Sequence, residues 1–147
     1  MSITDSIQAD MKAAARARDA QKLVTLRMLS ASLHNAKIEK KESLNDEDVV
    51  RVLQREAKKR SEAAQAFDSG ERSELAEKER TELTLIQKYL PAQLSKEQVA
   101  LAVTEVLATM ENPVFGTVMK KVMHKLTGQA DGKLVSEVVK ERLAPSP

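Results

Sequence analysis

The sequence predicts an all-α protein in two helical domains, about four helices followed by a three-helix C-terminal bundle. Three observations lead there. Apolar residues recur three and four apart through one segment after another, with almost none of the period-two alternation of a half-buried strand. Glycine and proline, four of each in 147 residues, are too sparse for a turn-rich β fold, and 31% of the residues are charged, as solvent-facing helices require. Pro91 then breaks the pattern, and a fresh set of helix-start signals follows it.

The first helix is expected over residues 2–17, where Ile3, Ile7 and Met11 lie one turn apart behind a capping Ser2. Asp19 is placed to cap the second, about 20–40, which carries Leu26, Leu29, Leu33 and Ala36 on one face. KKESLNDED is a polar break rich in the residues that favour a helix N-terminus. The third helix, about 46–67, turns Val49, Leu53, Ala57, Ala64 and Phe67 inward. Arg51, Arg55 and Lys58 fall within about 60° of one another on its far side, a basic stripe. Arg60 lands on the apolar face, so it must either snorkel out or pair with a carboxylate from a neighbouring helix. After DSG at 68–70, a fourth helix over about 73–90 uses Leu75, Leu83, Ile86, Tyr89 and Leu90. Its acidic first half, 71–82, reads as a solvated face.

Pro91 cannot continue that helix and biases Leu90 away from helical geometry, which sets the domains at 1–92 and 93–147. Directly afterwards Ser95 and Gln98 have capping-box spacing, and Leu94 and Val99 occupy the two positions of a hydrophobic staple. The fifth helix continues through Ala102, Val103 and Val106 to Met110, where ENP breaks it. In the sixth, Phe115, Val118, Met119, Val122 and Leu126 form one apolar arc, leaving Lys120, Lys121 and His124 opposite. Gly128 sits where a helix stop needs positive φ, and Asp131 where the next helix needs a cap. In the seventh, Leu134, Val135, Val138 and Val139 face inward, and Lys133, Ser136 and Lys140 outward. The terminal APSP reads as frayed.

Composition narrows the function classes. The net charge is only +2, so attraction to nucleic acid must come from local asymmetry. Residues 113–143 hold six Lys/Arg against three Asp/Glu, whereas 93–112 hold one Lys against three Glu, so the positive charge is concentrated late. The absence of cysteine excludes disulfides, thiol catalysis and cysteine-ligated zinc, and fits a reducing compartment. No apolar run approaches the roughly 20 residues of a membrane helix, and no secretory signal pattern opens the chain. The expectation is a cytoplasmic protein without a membrane partner.

No catalytic constellation stands out. His34 and His124 lie on different helices with no metal-binding spacing around them, and no nucleophile has a base beside it in the sequence. No metal and no cofactor are expected. GQADG lacks the ending of a phosphate-binding P-loop. It is an inter-helix turn, or else a place where N–H groups near Gly132 approach a phosphate, with Asp131 competing for the same donors. The three aromatic residues, Phe67, Tyr89 and Phe115, all fall at predicted core positions. RNA recognition would therefore run through phosphates, 2′-hydroxyls and shape, as for structured RNA, rather than through base stacking.

Several stretches carry a resemblance. FG followed by VMKKVMHKL, GQADGKLV and VVKERL, together with LRMLSASLHNAKIEKK, REAKKRSEAAQAFDSGER and KYLPAQLS upstream, is similar to the YqeY-like family over nearly the whole chain. Gln129 stands where the family's GRADG has arginine, and Ser136 where asparagine is usual, so an arginine contact at position 129 does not carry over. The resemblance implies an all-α fold in two helical domains, shared with the tail of the B subunit of glutamine-dependent aspartyl/glutamyl-tRNA amidotransferase. It also implies an association with carbon–nitrogen ligation using glutamine as amide donor. The chain matches the tail and not the catalytic domain.

On this reading the protein binds tRNA or a tRNA–enzyme assembly. The candidate contacts are Lys120, Lys121, His124, Lys125, Gly128, Gly132, Lys133 and Lys140, with Arg51, Arg55 and Lys58 as a secondary stripe. The alternatives are a helical protein–protein adaptor without nucleic-acid binding, and a component of an amidotransferase.

Overall fold

A computed structural model describes residues 2–144, and all but Ala144 of the APSP expected to fray lies outside them. Seven α-helices account for its regular structure, with no strand among the described residues. The chain divides into two compact units that meet in sequence between Leu90 and Pro91.

The first unit holds α1 (Ile3–Arg16), α2 (Ala20–Lys40), α3 (Asp46–Ser69) and α4 (Ser73–Gln87). Its starts are set by local hydrogen bonds. Ser2 and Asp5 close a capping box on α1, Asp19 accepts from the Lys22 N–H at α2, and Asn45 and Asp48 close a second box on α3. Ile7, Leu26, Leu29, Leu33, Val49, Val52, Leu53 and Ile86 make the core. At 24 residues, α3 is about 36 Å long and packs most extensively against α4. Ala64 and Ala76 are buried along those two helices, where small side chains let the backbones approach.

Three expectations change here. Helix α4 ends at Gln87, and Tyr89 and Leu90 follow in tight i to i−3 turns, because the bias imposed by Pro91 reaches back through Leu90. Leu75 is 40% exposed, and Ala76, one position on, is the fully buried residue. The acidic half of α4 is not wholly solvated. Glu82 is 6% exposed and Glu79 half-buried, and both face the Arg60 guanidinium at 3.4 and 3.2 Å. Arg60 therefore resolves its position on the apolar face by pairing across helices with two carboxylates, although its Nε and the Glu79 Oε2 are buried without a hydrogen-bond partner.

The second unit holds α5 (Lys96–Ala108), α6 (Phe115–Lys125) and α7 (Gly132–Leu143). Ser95 and Gln98 form the anticipated capping box. Val99, Val103, Val118, Val122, Val135, Val138 and Val139 are almost completely buried in one cluster. Valine is a mediocre helix former, so these helices owe their stability to one another rather than to intrinsic propensity. The entry strand of chain is tied to the α6–α7 turn. The Leu94 N–H donates to the Gln129 carbonyl, and the Gln93 amide to the Gly128 carbonyl, each at 2.8 Å.

Candidate nucleic-acid interface

The turn between α6 and α7 determines what the unit presents. Gly128 adopts φ 77°, the left-handed conformation a helix stop requires, and is buried with its carbonyl occupied by Gln93. It shapes the turn and offers no surface. Asp131 caps α7 loosely, accepting from the Lys133 N–H at 3.4 Å, so its carboxylate already holds the donors nearest Gly132. Gly132, the first residue of α7, lies beside Met123 near the end of α6, while Lys140, two turns along α7, lies over Phe115 at the start of α6. The two helices thus run antiparallel.

Helical arithmetic then sorts the charges. On α6, Lys120, Lys121 and His124 share an arc of about 100° away from Val118 and Val122, and all three are exposed. On α7, Lys133 and Lys140 are seven apart, within about 20° of one another and about 10 Å along the axis. Both are exposed on the side of α7 that borders α6. Lys120, Lys121, Lys133 and Lys140 form no ion pair among the described residues.

Lys125 behaves differently. Its ammonium pairs with the Glu105 carboxylate from α5, so the compensating acid comes from another helix and not from the KKVMHK segment itself. The acids of α7 are similarly engaged. Glu137 lies four residues from Lys133 and three from Lys140, about 40–60° round α7 from the lysine row, with Glu141 about 80–100° round; both turn to Lys96 of α5, at 3.4 and 3.1 Å. These bonds hold the Lys96 ammonium above its ordinary pKa, Glu141 contributing most. Glu97, Glu111 and Asp131 are the remaining carboxylates of this unit, all exposed. The result is a face on α6 and α7 where Lys120, Lys121, Lys133 and Lys140 make no ion pair among the described residues, and where the nearest α7 acid, Glu137, is turned toward Lys96.

Phe115 overturns the expectation that all three rings are core. It is 40% exposed, next to Val114 at 61%. Side chains tilt toward a helix N-terminus, so an apolar residue in the first turn points past the end of its own helix. The signal was its place directly after PV at the start of α6. The Lys140 ammonium sits 5.8 Å from the ring centroid, at the long end of cation–π range.

The basic stripe of the first unit is less free. Arg51 pairs with Glu47 at 3.6 Å and Asp48 at 3.8 Å, whereas Arg55 and Lys58 are exposed and form no ion pair among the described residues. A recess of about 300 Å³ between α1 and α2 includes His34 and Lys37, but no carboxylate lines it. Among the described residues no group of three His, Asp or Glu is placed to hold a metal, and no helix is long and apolar enough to cross a membrane.

A family model described as Yqey-like protein matches residues 4–143. The chain belongs to the YqeY-like family. Two fungal proteins are similar to this chain in sequence. A protein of Pyrenophora tritici-repentis named altered inheritance of mitochondria protein 41, mitochondrial, is 29% identical over 141 residues, covering 92% of this chain and 77% of that one. An uncharacterized protein of Schizosaccharomyces pombe is 35% identical over 71 residues, covering 48% of this chain and 58% of its own. The family match spans both helical units, so the lysine face lies within it and not on an appended segment.

Proposed function

We propose that this YqeY-like protein binds folded RNA, tRNA in particular, and works alongside a tRNA-dependent amidotransferase rather than as a complete enzyme. One observation carries the RNA reading: Lys120, Lys121, Lys133 and Lys140 emerge on α6 and α7 without ion-pair partners, while Lys96 engages the α7 carboxylates that would otherwise oppose them. Unpaired ammonium groups on a rigid helical face suit phosphate contact, which positions a ligand without reading its sequence. The amidotransferase setting comes from the resemblance of the family to the tail of that enzyme's B subunit. The reading keeps the cytoplasm as the compartment. Fractionation of cells decides that point, since one relative is named mitochondrial.

The test is titration of a tRNA transcript with the intact chain and with a Lys133→Glu/Lys140→Glu variant. Reversing two contacting charges is expected to weaken binding at least tenfold at low salt, since each lost contact also returns a counterion to the RNA. Unchanged affinity removes the phosphate-contact reading. Adding the protein to a tRNA amidotransferase and measuring the amidation rate tests the second half separately.

The adaptor reading draws on Leu101, 66% exposed on α5. A protein partner retained after complete nuclease digestion, together with no tRNA affinity, would favour it.

A further inference from the structure

Phosphate contact leaves the exposed Phe115 ring unused. We propose that Phe115 is a stacking platform for an unpaired base, so that the preferred ligand is a folded RNA carrying a single-stranded end or bulge and not a uniform duplex. This rests on the RNA reading above and specifies the nucleotide it engages.

Three features of the site converge. The ring is 40% exposed at the head of α6, and beyond its chain neighbours and the backbone of its own helix the adjoining Gly116 has nothing within 4 Å of the position a Cβ would take, so a planar base has room to approach. The Lys140 ammonium over the ring has no carboxylate partner among the described residues. A base on the solvent side of the ring therefore brings its own phosphate toward an available cation. Lys133 continues the same row along α7, and Lys120 lies on the α7 side of the outer arc of α6, so the backbone flanking that base meets positive charge.

Charge decides the occupant. An aliphatic side chain from a protein partner would cover the ring but would leave the ammonium groups without counter-charge, whereas a nucleotide supplies a π-face and an anion together. An A-form duplex hides the faces of its bases, so only an unpaired nucleotide can use the platform.

The experiment compares a fully paired RNA hairpin with one of equal phosphate number that carries an unpaired 3′ tail, using the full chain. The tailed hairpin is expected to bind more tightly. Phe115→Ala is expected to reduce its affinity about tenfold, within the range of base-stacking losses, and to leave the paired hairpin unaffected. Phe115→Trp introduces the protein's only tryptophan, whose emission should be quenched by the tailed hairpin and not by the paired one. Phe115→Leu should not restore affinity.

Equal binding of both hairpins by wild type and Phe115→Ala overturns stacking while leaving RNA binding intact. So does full rescue by Phe115→Leu, or an unquenched tryptophan in a bound complex. Failure of wild type to bind either hairpin removes the RNA reading and this proposal with it.

Discussion

Tyr89, the only tyrosine, donates its phenol hydrogen to the Asp10 carboxylate from α1. Burial, then the hydrogen bond to Asp10 and its negative charge, push its pKa well above the usual tyrosine value. An unfolded tyrosine ionises near pH 10, so the folded state retains a proton that the unfolded state releases. This contribution is complete below about pH 10 and is lost as the pH rises toward the folded value. Stability measured by urea denaturation is therefore expected to fall more steeply above pH 10 in the wild type than in Tyr89→Phe, a comparison that cancels the titration of lysines. Tyrosinate absorbance in the folded protein should also appear later than that of free tyrosine, and titration at the ordinary pH would refute the assignment. Other single residues were legible to different degrees. Arg60 announced itself by falling on an apolar arc, which required compensation, but whether by water or by Glu79 and Glu82 depended on how α3 and α4 pack. Phe115 satisfied the core periodicity and still emerged exposed, because periodicity gives an angle around the helix axis and not the depth at which a terminal turn is covered.

Helix starts in this protein are more readable than helix stops, and the reason is chemical. Among the described residues, five of the seven starts are marked by a side chain that bonds a free N–H group, Ser2, Asp19, Ser95 and Asp131 among them, each within three residues, whereas α4 and α6 start without one. The stops of α1, α2, α3, α5 and α6 are each followed by one left-handed residue, which glycine reveals only at Gly128. Elsewhere Arg18, Lys41, Glu71 and Asn112 adopt positive φ, and three of these four are types whose side chains gain nothing from it. DSG at 68–70 does end α3, with Gly70 as its cap, but Gly70 keeps φ −88° and the reversal falls on Glu71. The braces between helices were likewise invisible, since Lys96 meets acids 41 and 45 residues away. The capping box of α5 makes an element-scale prediction. Ser95→Ala removes the acceptor of the Gln98 N–H and loosens the segment whose Leu94 N–H anchors the α6–α7 turn. It should cost about 1 kcal/mol. Amide exchange is expected to accelerate in the valine core of α5–α7, and equal acceleration in α1–α4 would show that the cap does not act locally.

At the scale of the molecule, a net charge of +2 conceals how the charge is used. Residues 91–147 carry seven Lys/Arg and six Asp/Glu, a balance that on its own predicts no attraction for RNA. The helices redistribute it: Lys96 and Lys125 engage Glu137, Glu141 and Glu105, which leaves Lys120, Lys121, Lys133 and Lys140 exposed without an ion pair among the described residues. If Lys120, Lys121, Lys133 and Lys140 each displace a counterion, the logarithm of affinity for a duplex-like RNA should fall with the logarithm of salt concentration at a slope of about −3.6. Reversing Lys133 and Lys140 should reduce that slope to about −1.8, because only two of the contacts survive. Reversing Arg55 and Lys58 in the first unit provides the contrasting measurement. A slope that responds to these two as strongly as to the α7 pair would mean that the stripe on α3 shares the ligand. A slope that responds only to the α7 pair confines phosphate contact to the three-helix unit, and a slope near zero in the unaltered protein removes counterion release, and with it the electrostatic basis for binding RNA.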